Sequence, residues 1–465
     1  MRAHPAGPRH GDVVTANSAP APAADLNALA HGVWPLTAER GTDGVLQIGG
    51  IPLVELLARH GSPLFILDES DFRTRARAYR EAYPDGDVFY AAKAFLATAV
   101  AQWAVEEGLG IDVATGGELA VALRAGVPGE RILFHGNNKS EQELGEALDA
   151  GVGRFVIDST VEIDRLSALA AERGILARVL VRVTVGVEAH THEFIATSHE
   201  DQKFGLSLSG GAAEEAVRRI IAAPSLTLVG LHSHIGSQIF DAAGFEIAAA
   251  RVVGLAVRIR DEHGLVIPEL NLGGGMGIAY LPDDDPLDVA AMAAALRGIV
   301  RRACTEAGLP MPRLAVEPGR SVVGPCGITA YRIGTVKPVD LGQGHGRTYV
   351  SVDGGMSDNI RTALYDASYS VVVAGRESAA SPMLTRVVGK HCESGDVVVR
   401  DAWLPEDIAP GDVLAVAATG AYCRAMASQY NYVPRPAVVS VRDGADRVVL
   451  RRETVDDLLA LDPGA

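Results

Sequence analysis

Lys93 lies where a lysine can act as a nucleophile, at the end of the apolar run Val88-Phe89-Tyr90-Ala91-Ala92. That run is too short for a helix and follows Pro84-Asp85-Gly86, so it is typical of a buried β-strand. An amine at the mouth of a buried strand loses water, and the neutral form can then attack a carbonyl carbon. Lys93 is therefore a candidate for a Schiff base. A lysine that simply reaches solvent from a strand end is the alternative.

Other polar and glycine residues follow apolar runs further along the chain. Gly273-Gly274-Gly275 comes directly after Asn271-Leu272, and successive glycines let backbone N–H groups approach a ligand closely. Such a turn can hold a phosphate, to which the Ser237 hydroxyl and the Arg320 guanidinium could add hydrogen bonds. A tight turn without a ligand is the alternative, whereas the spacing does not match a dinucleotide-binding fingerprint.

Glu317 and a group of histidines complete the candidate chemistry. A carboxylate facing a pyridine nitrogen keeps that nitrogen protonated and makes the ring an electron sink, whereas an ion pair with a neighbouring arginine is the alternative. His232 and His234 alternate on one run, so their side chains face the same way. Together with His190 and His192 they could form a metal site, but no acidic or thiol ligand stands at a matching spacing in the sequence. We therefore predict no metal, and we expect His234 to stack on an aromatic ring.

The apolar runs alternate with amphipathic stretches typical of helices. Eight βα units in about 250 residues are typical of a (β/α)8 (TIM) barrel, and a doubly wound sheet is the alternative. Because barrel enzymes carry their active sites at the carboxyl ends of the strands, the residues above are expected to share one rim. The eight runs are Val88–Ala92, Gly110–Ala114, Ile132–His135, Gly153–Ile157, Ala177–Val183, Leu226–His234, Ile267–Leu272 and Leu314–Glu317.

The chain changes character on both sides of this region. Before it, the runs Val45–Ile48 and Pro63–Leu67 are expected to add strands to a second domain. After it, strand-like runs are separated only by Gly, Pro and Asp turns, which predicts an antiparallel β-domain of sandwich or barrel type. The predicted organisation is a disordered tail (1–24), an N-terminal segment that contributes strands to the β-domain (25–67), the barrel (68–324) and the C-terminal β-domain (325–465).

Composition limits the class of protein. The chain has 465 residues, of which 48% are hydrophobic and 22% charged, with a net charge of -16 and a pI near 5.3. These values are ordinary for a globular protein, and the acidic balance argues against nucleic acid or an anionic membrane as a partner. Four cysteines without zinc or redox spacing predict a cytoplasmic protein with reduced thiols.

Five ordered motifs resemble those of one enzyme family. Together they are similar to the motifs of the alanine racemase-like, fold type III pyridoxal-phosphate decarboxylases, over about Ile48 to Val441. The likeness is greatest to the members that convert meso-2,6-diaminopimelate to L-lysine and carbon dioxide, the last step of lysine biosynthesis. The motifs are Tyr90-Ala91-Ala92-Lys93-Ala94, His234-Ile235-Gly236-Ser237, Gly273-Gly274-Gly275, Glu317-Pro318-Gly319-Arg320 and His391-Cys392-Glu393-Ser394-Gly395.

The resemblance implies a role for each matching residue. Lys93 would hold pyridoxal 5'-phosphate as a Schiff base, His234 would stack on its ring, and Glu317 would pair with its pyridine nitrogen. Cys392 would protonate the α-carbon, acting from the partner subunit of a homodimer with shared active sites. Read alone, Cys392 could also be a small buried hydrophobe. The expected ligands of the cofactor phosphate are Ser237, Gly273, Gly274, Gly275 and Tyr422.

The same resemblance implies how the distal end of the substrate is bound. The expected substrate ligands are Arg320, Arg361, Tyr365, Glu393 and Tyr422, with the arginines on the distal carboxylate and Glu393 on the distal ammonium. Two arginines are suited to bind a carboxylate at the distal end of the substrate. An ornithine-type substrate ends in an ammonium group instead, and its site would need an acidic residue at that position. A racemase of this fold pairs the pyridine nitrogen with an arginine, where this chain has Glu317. Non-catalytic relatives lose the lysine or the cysteine, and both are present.

Overall fold

The chain forms two compact units in a computed structural model that describes residues 21–186, 203–342 and 345–464. The barrel unit comprises the described residues of Arg73–Gly277 and Leu287–Val322, and the β-unit comprises the remaining described residues. Ile278–Pro286 thus groups with the β-unit although it falls inside the range predicted for the barrel. Most of the predicted tail lies outside the described residues.

Short elements precede the barrel. Polar and glycine residues break the apolar runs here, so the strands are brief. They are β1 (Glu39–Arg40), β2 (Leu46–Ile48), β3 (Ile51–Pro52), helix α1 (Leu53–His60) and β4 (Leu64–Asp68).

Nine strands and nine α-helices follow in the described part of this region. The strands are β5 (Asp87–Ala91), β6 (Gly110–Val113), β7 (Ile132–Phe134), β8 (Arg154–Ile157), β9 (Ala177–Thr184), β10 (Leu206–Ser207), β11 (Leu226–His232), β12 (Glu269–Asn271) and β13 (Arg313–Val316). The helices are α2 (Glu69–Ala82), α3 (Thr98–Glu106), α4 (Gly116–Arg124), α5 (Glu141–Asp149), α6 (Thr160–Glu172), α7 (Ala212–Ala222), α8 (Ala243–His263), α9 (Val289–Glu306) and α10 (Arg320–Val323).

These strands close into a parallel barrel, so the predicted (β/α)8 fold is confirmed. They pair in the order β5-β6-β7-β8-β9-β11-β12-β13, β13 returns to β5, and the short β10 adds to β9. Polar residues after the strands begin the helices: Thr115, Ser140 and Ser159 each accept a hydrogen bond from the first turn of α4, α5 and α6. The interior is filled by a buried cluster of Phe89, Leu133, Val156, Leu180, Val229 and Ala315.

The β-unit continues with strands and two short helices. They are β14 (Gly327–Gly342), β15 (His345–Val352), α11 (Arg361–Tyr365), β16 (Val371–Val373), β17 (Pro382–Val388), β18 (Val397–Pro405), β19 (Val413–Val416), β20 (Ala437–Arg442), β21 (Ala445–Leu450) and α12 (Val455–Leu459). The main sheet has the order β18-β17-β15-β14-β4-β20-β21, and β19 joins β14 to β16.

Two pairings make this sheet mixed, where an antiparallel domain was predicted. β15 pairs with β17 and β4 pairs with β20 in parallel. Neither pair is joined by a hairpin, because α11 and β16 separate the first and the whole barrel separates the second, so their direction could not be inferred from turns. β2 belongs to a separate sheet with β1 and β3, although Leu46 and Leu64 share one hydrophobic core.

None of the helices in the described ranges is long and apolar enough to cross a membrane.

Candidate active site at the carboxyl ends of the barrel strands

Glu317 follows β13 and meets polar side chains from three other strand ends. Its Oε1 lies 2.8 Å from both His135 Nε2 and Asn271 Nδ2. His232 Nε2 is 3.4 Å from the same oxygen. Because an ionised carboxylate only accepts hydrogen bonds, both His135 Nε2 and the Asn271 amide donate to it. The folding of four separate strands thus assembles one buried polar cluster.

Burial and neighbouring charges set the protonation of this cluster. Burial lowers the pKa of His232 to about 4, so this imidazole is neutral at neutral pH. Burial alone would raise the pKa of Glu317, but His135 and His232 hold it well below its usual range. Burial raises the pKa of Asp112 to about 7, while His135 opposes this shift and Glu317 adds to it. The rim therefore holds an ionised Glu317 beside a partly protonated Asp112.

Lys93 lies at the mouth of a cavity in the barrel unit. It occupies a 3-10 turn, Ala92–Ala94, directly after β5. The cavity has a volume of about 140 Å³, and Lys93, Asp112, His234 and Glu317 are among its lining residues. The Lys93 residue is exposed, so the expected desolvation of its amine is wrong for this structure. Lys93 lies in the 3-10 turn that follows β5, and not within the buried strand itself.

The glycine turn supports His234 and leaves no room for side chains. The Gly274 N–H donates to His234 Nδ1 at 3.2 Å, so this nitrogen carries no proton. Burial and the nearby Lys93 and Arg182 lower the pKa of His234 well below its usual value. A Cβ on Gly273 would come within 2.7 Å of a carbonyl oxygen, and one on Gly274 or Gly275 would come closer still. The turn therefore needs glycine and presents a neutral imidazole.

Arg320 and Ser237 are also brought together in the barrel unit. Arg320 begins α10 only three residues after Glu317, and its Nη2 donates to Ser237 Oγ at 3.1 Å. A cation and a hydroxyl in contact form a suitable pair for an anionic group.

Arg361 and Tyr365 lie at opposite ends of α11 in the β-unit. Arg361 is buried, and its Nη1 donates to the hydroxyls of Tyr280 and Tyr369 at 2.9 and 2.6 Å. Burial raises the pKa of Tyr369 well above its usual value, so this partner is neutral. Within the described ranges, no carboxylate oxygen lies within 4 Å of the Arg361 guanidinium. A buried cation without an acidic partner is suited to bind an anion. Tyr365 is half-buried.

Cys392 and Glu393 lie on the loop between β17 and β18. Both residues are exposed, which excludes Cys392 as a buried hydrophobe. The Glu393 carboxylate accepts a hydrogen bond from the Gly395 N–H at 3.1 Å. Tyr422 follows β19 in the left-handed region, at φ 60°, and is half-buried. The β-unit thus carries a surface thiol next to a carboxylate.

Three buried groups could also hold a metal ion. The nearest ligand atoms of His135, His232 and Glu317 lie within 4.8 Å of one another. The sequence suggested His232 and His234 as ligands, whereas this group contains His232 and His135. The hydrogen bond between His135 and Glu317 already explains why these two side chains lie close together. His190 and His192, named as possible ligands from the sequence, lie outside the described residues.

Several residues of these clusters had no assigned role from the sequence. Asp112 and His135 could have been found, because Asp112 is the charged residue of one strand-like run and His135 ends the next. Asn271 could have been found in the same way, two residues before the glycine turn. Tyr280 and Tyr369 had no local signal, since they lie 81 and 8 residues from their partner Arg361.

The barrel-unit residues fit the chemistry of a pyridoxal phosphate site. They combine an accessible amine, a neutral imidazole and an ionised carboxylate around one cavity. His232 Nε2 has only the 3.4 Å contact with Glu317, and in the described part of the chain the buried Nδ1 of His232 has no hydrogen-bond partner, which is costly unless the cluster serves a ligand.

Comparison with known proteins agrees with this chemistry. Residues 69–324 match a family model described as the pyridoxal-binding domain of pyridoxal-dependent decarboxylases. The chain is 56% identical to the diaminopimelate decarboxylase of Mycobacterium leprae, over 99% of this chain and 100% of the relative. It is 59% identical to that of Mycobacterium tuberculosis, over 94% and 99%.

Solved structures give the same result. A diaminopimelate decarboxylase from M. jannaschii, solved in a co-complex with L-lysine, superposes with a TM-score of 0.85. It is 32% identical to this chain, and the match covers 92% of this chain and 98% of that one. The enzyme from Helicobacter pylori, complexed with L-lysine, gives a TM-score of 0.80 at 29% identity, over 88% and 99%. Full-length identity and shared fold together show that this chain belongs to the family of the pyridoxal-dependent decarboxylases.

Proposed function

We propose that this chain decarboxylates meso-2,6-diaminopimelate to L-lysine and carbon dioxide with pyridoxal 5'-phosphate, the last step of lysine biosynthesis. The observation that carries the proposal is the buried, ionised Glu317, which lines one cavity with Lys93 and His234. A carboxylate there keeps a pyridine nitrogen protonated, which decarboxylation needs and which an arginine would oppose. Relatives of that name at 56% and 59% identity support the substrate.

The residues of the barrel rim would share the binding of the cofactor. Lys93 would hold its aldehyde carbon covalently, His234 would stack on the ring, and Glu317 would bind the ring nitrogen. When bound, pyridoxal phosphate supplies an electron sink for the pair left on the α-carbon as carbon dioxide departs. The proposed ligands of its phosphate are Ser237, Gly273, Gly274, Gly275 and Tyr422.

Cys392 would deliver the proton that completes the reaction. An exposed thiol can reach a substrate atom without a change in the core. Its Sγ would give the proton to the α-carbon after carbon dioxide has left. General acids of this kind typically contribute 10²- to 10⁴-fold to a rate.

Recognition of the distal end would depend on charge. Arg361 supports this role, because its buried guanidinium is held by two phenol hydroxyls and can take a carboxylate as its counter-ion. Arg320 and Tyr365 would bind the same carboxylate, together with Tyr422. Glu393, exposed beside Cys392, would meet the distal ammonium.

We further propose that the chain acts as a cytoplasmic homodimer whose subunits share active sites. Free thiols at all four cysteines support a reducing compartment. The exposed position of Cys392, followed by the exposed Glu393 and Ser394, supports its insertion into a site on a second subunit.

A substrate panel tests the proposed reaction. The purified holoenzyme should release carbon dioxide and L-lysine from meso-diaminopimelate, and should leave L-ornithine and L-arginine unchanged. Equal turnover of ornithine would contradict the role of Arg361. Borohydride should bleach the chromophore of the holoenzyme and attach the label to Lys93. A protein that gains no chromophore on addition of cofactor would refute the proposal as a whole.

A further inference from the structure

The loop that carries Cys392 is held by an asparagine 39 residues further along the chain. Asn431 Oδ1 accepts a hydrogen bond from the Cys392 N–H at 3.3 Å and lies 3.2 Å from His391 Nδ1. On the other side of that imidazole, His391 Nε2 lies 2.8 Å from Ser357 Oγ. An amide oxygen only accepts, so His391 Nδ1 carries a proton and donates it to Asn431 Oδ1. One side chain therefore fixes both Cys392 and the residue before it.

The backbone of Asn431 is bent to make these contacts. Its φ of 54° and ψ of 28° place it in the left-handed region, and the next residue, Tyr432, has a φ of 56°. This region is unfavourable for residues with a Cβ, although asparagine tolerates it better than most. Strained backbone persists where surrounding contacts determine it, and it concentrates at functional sites.

Buried contacts hold the segments around Cys392 in place. Asp396 accepts hydrogen bonds from the N–H groups of His391 and Met356 at 2.8 and 2.6 Å. The Ser428 N–H donates to the Ser357 carbonyl oxygen at 2.9 Å, which ties the Asn431 segment to the same frame. Asp396 is buried whereas Cys392 is exposed. These contacts fix the backbone on both sides of the loop. The hydrogen bond from the Cys392 N–H to the Asn431 amide then connects the exposed Cys392 to this fixed backbone.

We propose that Asn431 is a positioning residue that aims the Cys392 thiol at the substrate's α-carbon. The inference rests on the proposed role of Cys392 as proton donor. In that step the S–H bond breaks, the proton joins the electron pair left on the α-carbon, and the thiolate regains a proton from water. A displacement of about 1 Å can cost a reaction about 100-fold in rate. Loss of the amide should therefore slow proton delivery while substrate binding stays as it is.

The test is a double-mutant cycle in the holoenzyme. Asn431→Gly removes the amide and keeps the left-handed backbone, which glycine adopts without strain. It should lower kcat for meso-diaminopimelate by about 10- to 100-fold and change KM by less than about twofold. In a Cys392→Ala background the same change should have no further effect. Asn431→Asp keeps an acceptor oxygen and should restore most of the rate.

The control and the contrary outcomes separate the possible explanations. Asp443→Gly relieves a similar backbone, at φ 51° in the turn between β20 and β21, and should match the wild type in both backgrounds. Equal losses from Asn431→Gly with and without Cys392, or a raised KM at unchanged kcat, would overturn the inference alone. An unchanged rate in Cys392→Ala would refute the acid role and the inference with it. If the glycine variant does not fold, Asn431→Ala takes its place in the same cycle.

Discussion

The chemistry at Glu317 depends on neighbouring residues that are distant from it in the sequence. The hydrogen bonds described for this side chain converge on Oε1, from His135 and Asn271. The cluster keeps the buried Glu317 ionised, so its negative charge is in place before a ligand binds. Charges placed in advance in this way lower the activation barrier of a reaction, which is called electrostatic preorganisation.

Replacing Glu317 tests whether its negative charge is needed in addition to its hydrogen bonds. Glu317→Gln keeps an oxygen for His135 and Asn271 but removes the charge that would hold a pyridine nitrogen protonated. We expect kcat to fall by about 100-fold or more while the absorbance of bound cofactor persists. Glu317→Asp keeps the charge and should recover part of the rate. Loss of the chromophore in the glutamine variant, with little loss of kcat in the bound fraction, would contradict this role.

The lowered pKa of His232 predicts how the free energy of unfolding depends on pH. Its pKa is about 4 in the folded chain against an ordinary value of 6.5. The unfolded chain takes up this proton near pH 6.5 and the folded chain only near pH 4, so stability is lost as pH falls through that window. The loss amounts to about 3 kcal/mol. In urea unfolding of the cofactor-free protein, His232→Gln should flatten the slope between pH 6.5 and 4. His263→Gln, at the exposed end of α8, should keep the wild-type slope.

At the scale of elements, strand ends could be predicted but contacts between them could not. Apolar runs followed by polar or glycine residues are local signals, and all eight barrel strands lie where those runs predicted them. The contact between His135 and Glu317 joins residues 182 apart and has no local signal. Neither the 3-10 turn that exposes Lys93 nor the insertion of β4 between β14 and β20 could be inferred, because each depends on tertiary packing.

The other ends of the barrel strands carry charges that serve the fold. Arg154, the first residue of β8, pairs with Glu269 of β12 at 2.7 Å and with Asp87 of β5 at 2.8 Å. Arg313 of β13 also pairs with Asp87, at 2.5 Å. Four strands are thus joined at their amino ends, opposite the rim that holds Glu317. Ion pairs at this end of the barrel stabilise the fold and lie away from the residues proposed for the chemistry.

Breaking this ion cluster should destabilise the barrel without changing the site. Arg154→Met leaves the Glu269 carboxylate, only 4% exposed, without its partner. Removing one member of a buried pair costs about 3–5 kcal/mol, which urea unfolding would measure. The double variant Arg154→Met with Glu269→Gln should recover part of that loss. Arg302→Met is the matched control, since its pair with Glu246 is 61% exposed on both sides and should contribute less than about 1 kcal/mol. Similar losses from both arginines would contradict a structural role for the cluster.

At the scale of the molecule, the functional residues are divided between the two units. The barrel unit carries Lys93, His234 and Glu317, and the β-unit carries Cys392 and Arg361. Each unit has its own core, and Glu317 and Arg361 are each held by hydrogen bonds within their own unit. Such a division suits an assembly in which one subunit supplies the cofactor site and another supplies the acid.

Mixed dimers test whether active sites are shared between subunits. Lys93→Ala and Cys392→Ala should each be nearly inactive alone. If each site takes Lys93 from one subunit and Cys392 from the other, a mixed dimer holds one site with both changes and one intact site. Random exchange makes about half of the dimers mixed, so the mixture should regain about a quarter of the wild-type activity. The double variant mixed with wild type is the control, because its mixed dimers have one defect in each site and contribute nothing. A mixture of the single variants that stays inactive after exchange, with mixed dimers present by mass spectrometry, would show that each subunit uses its own cysteine.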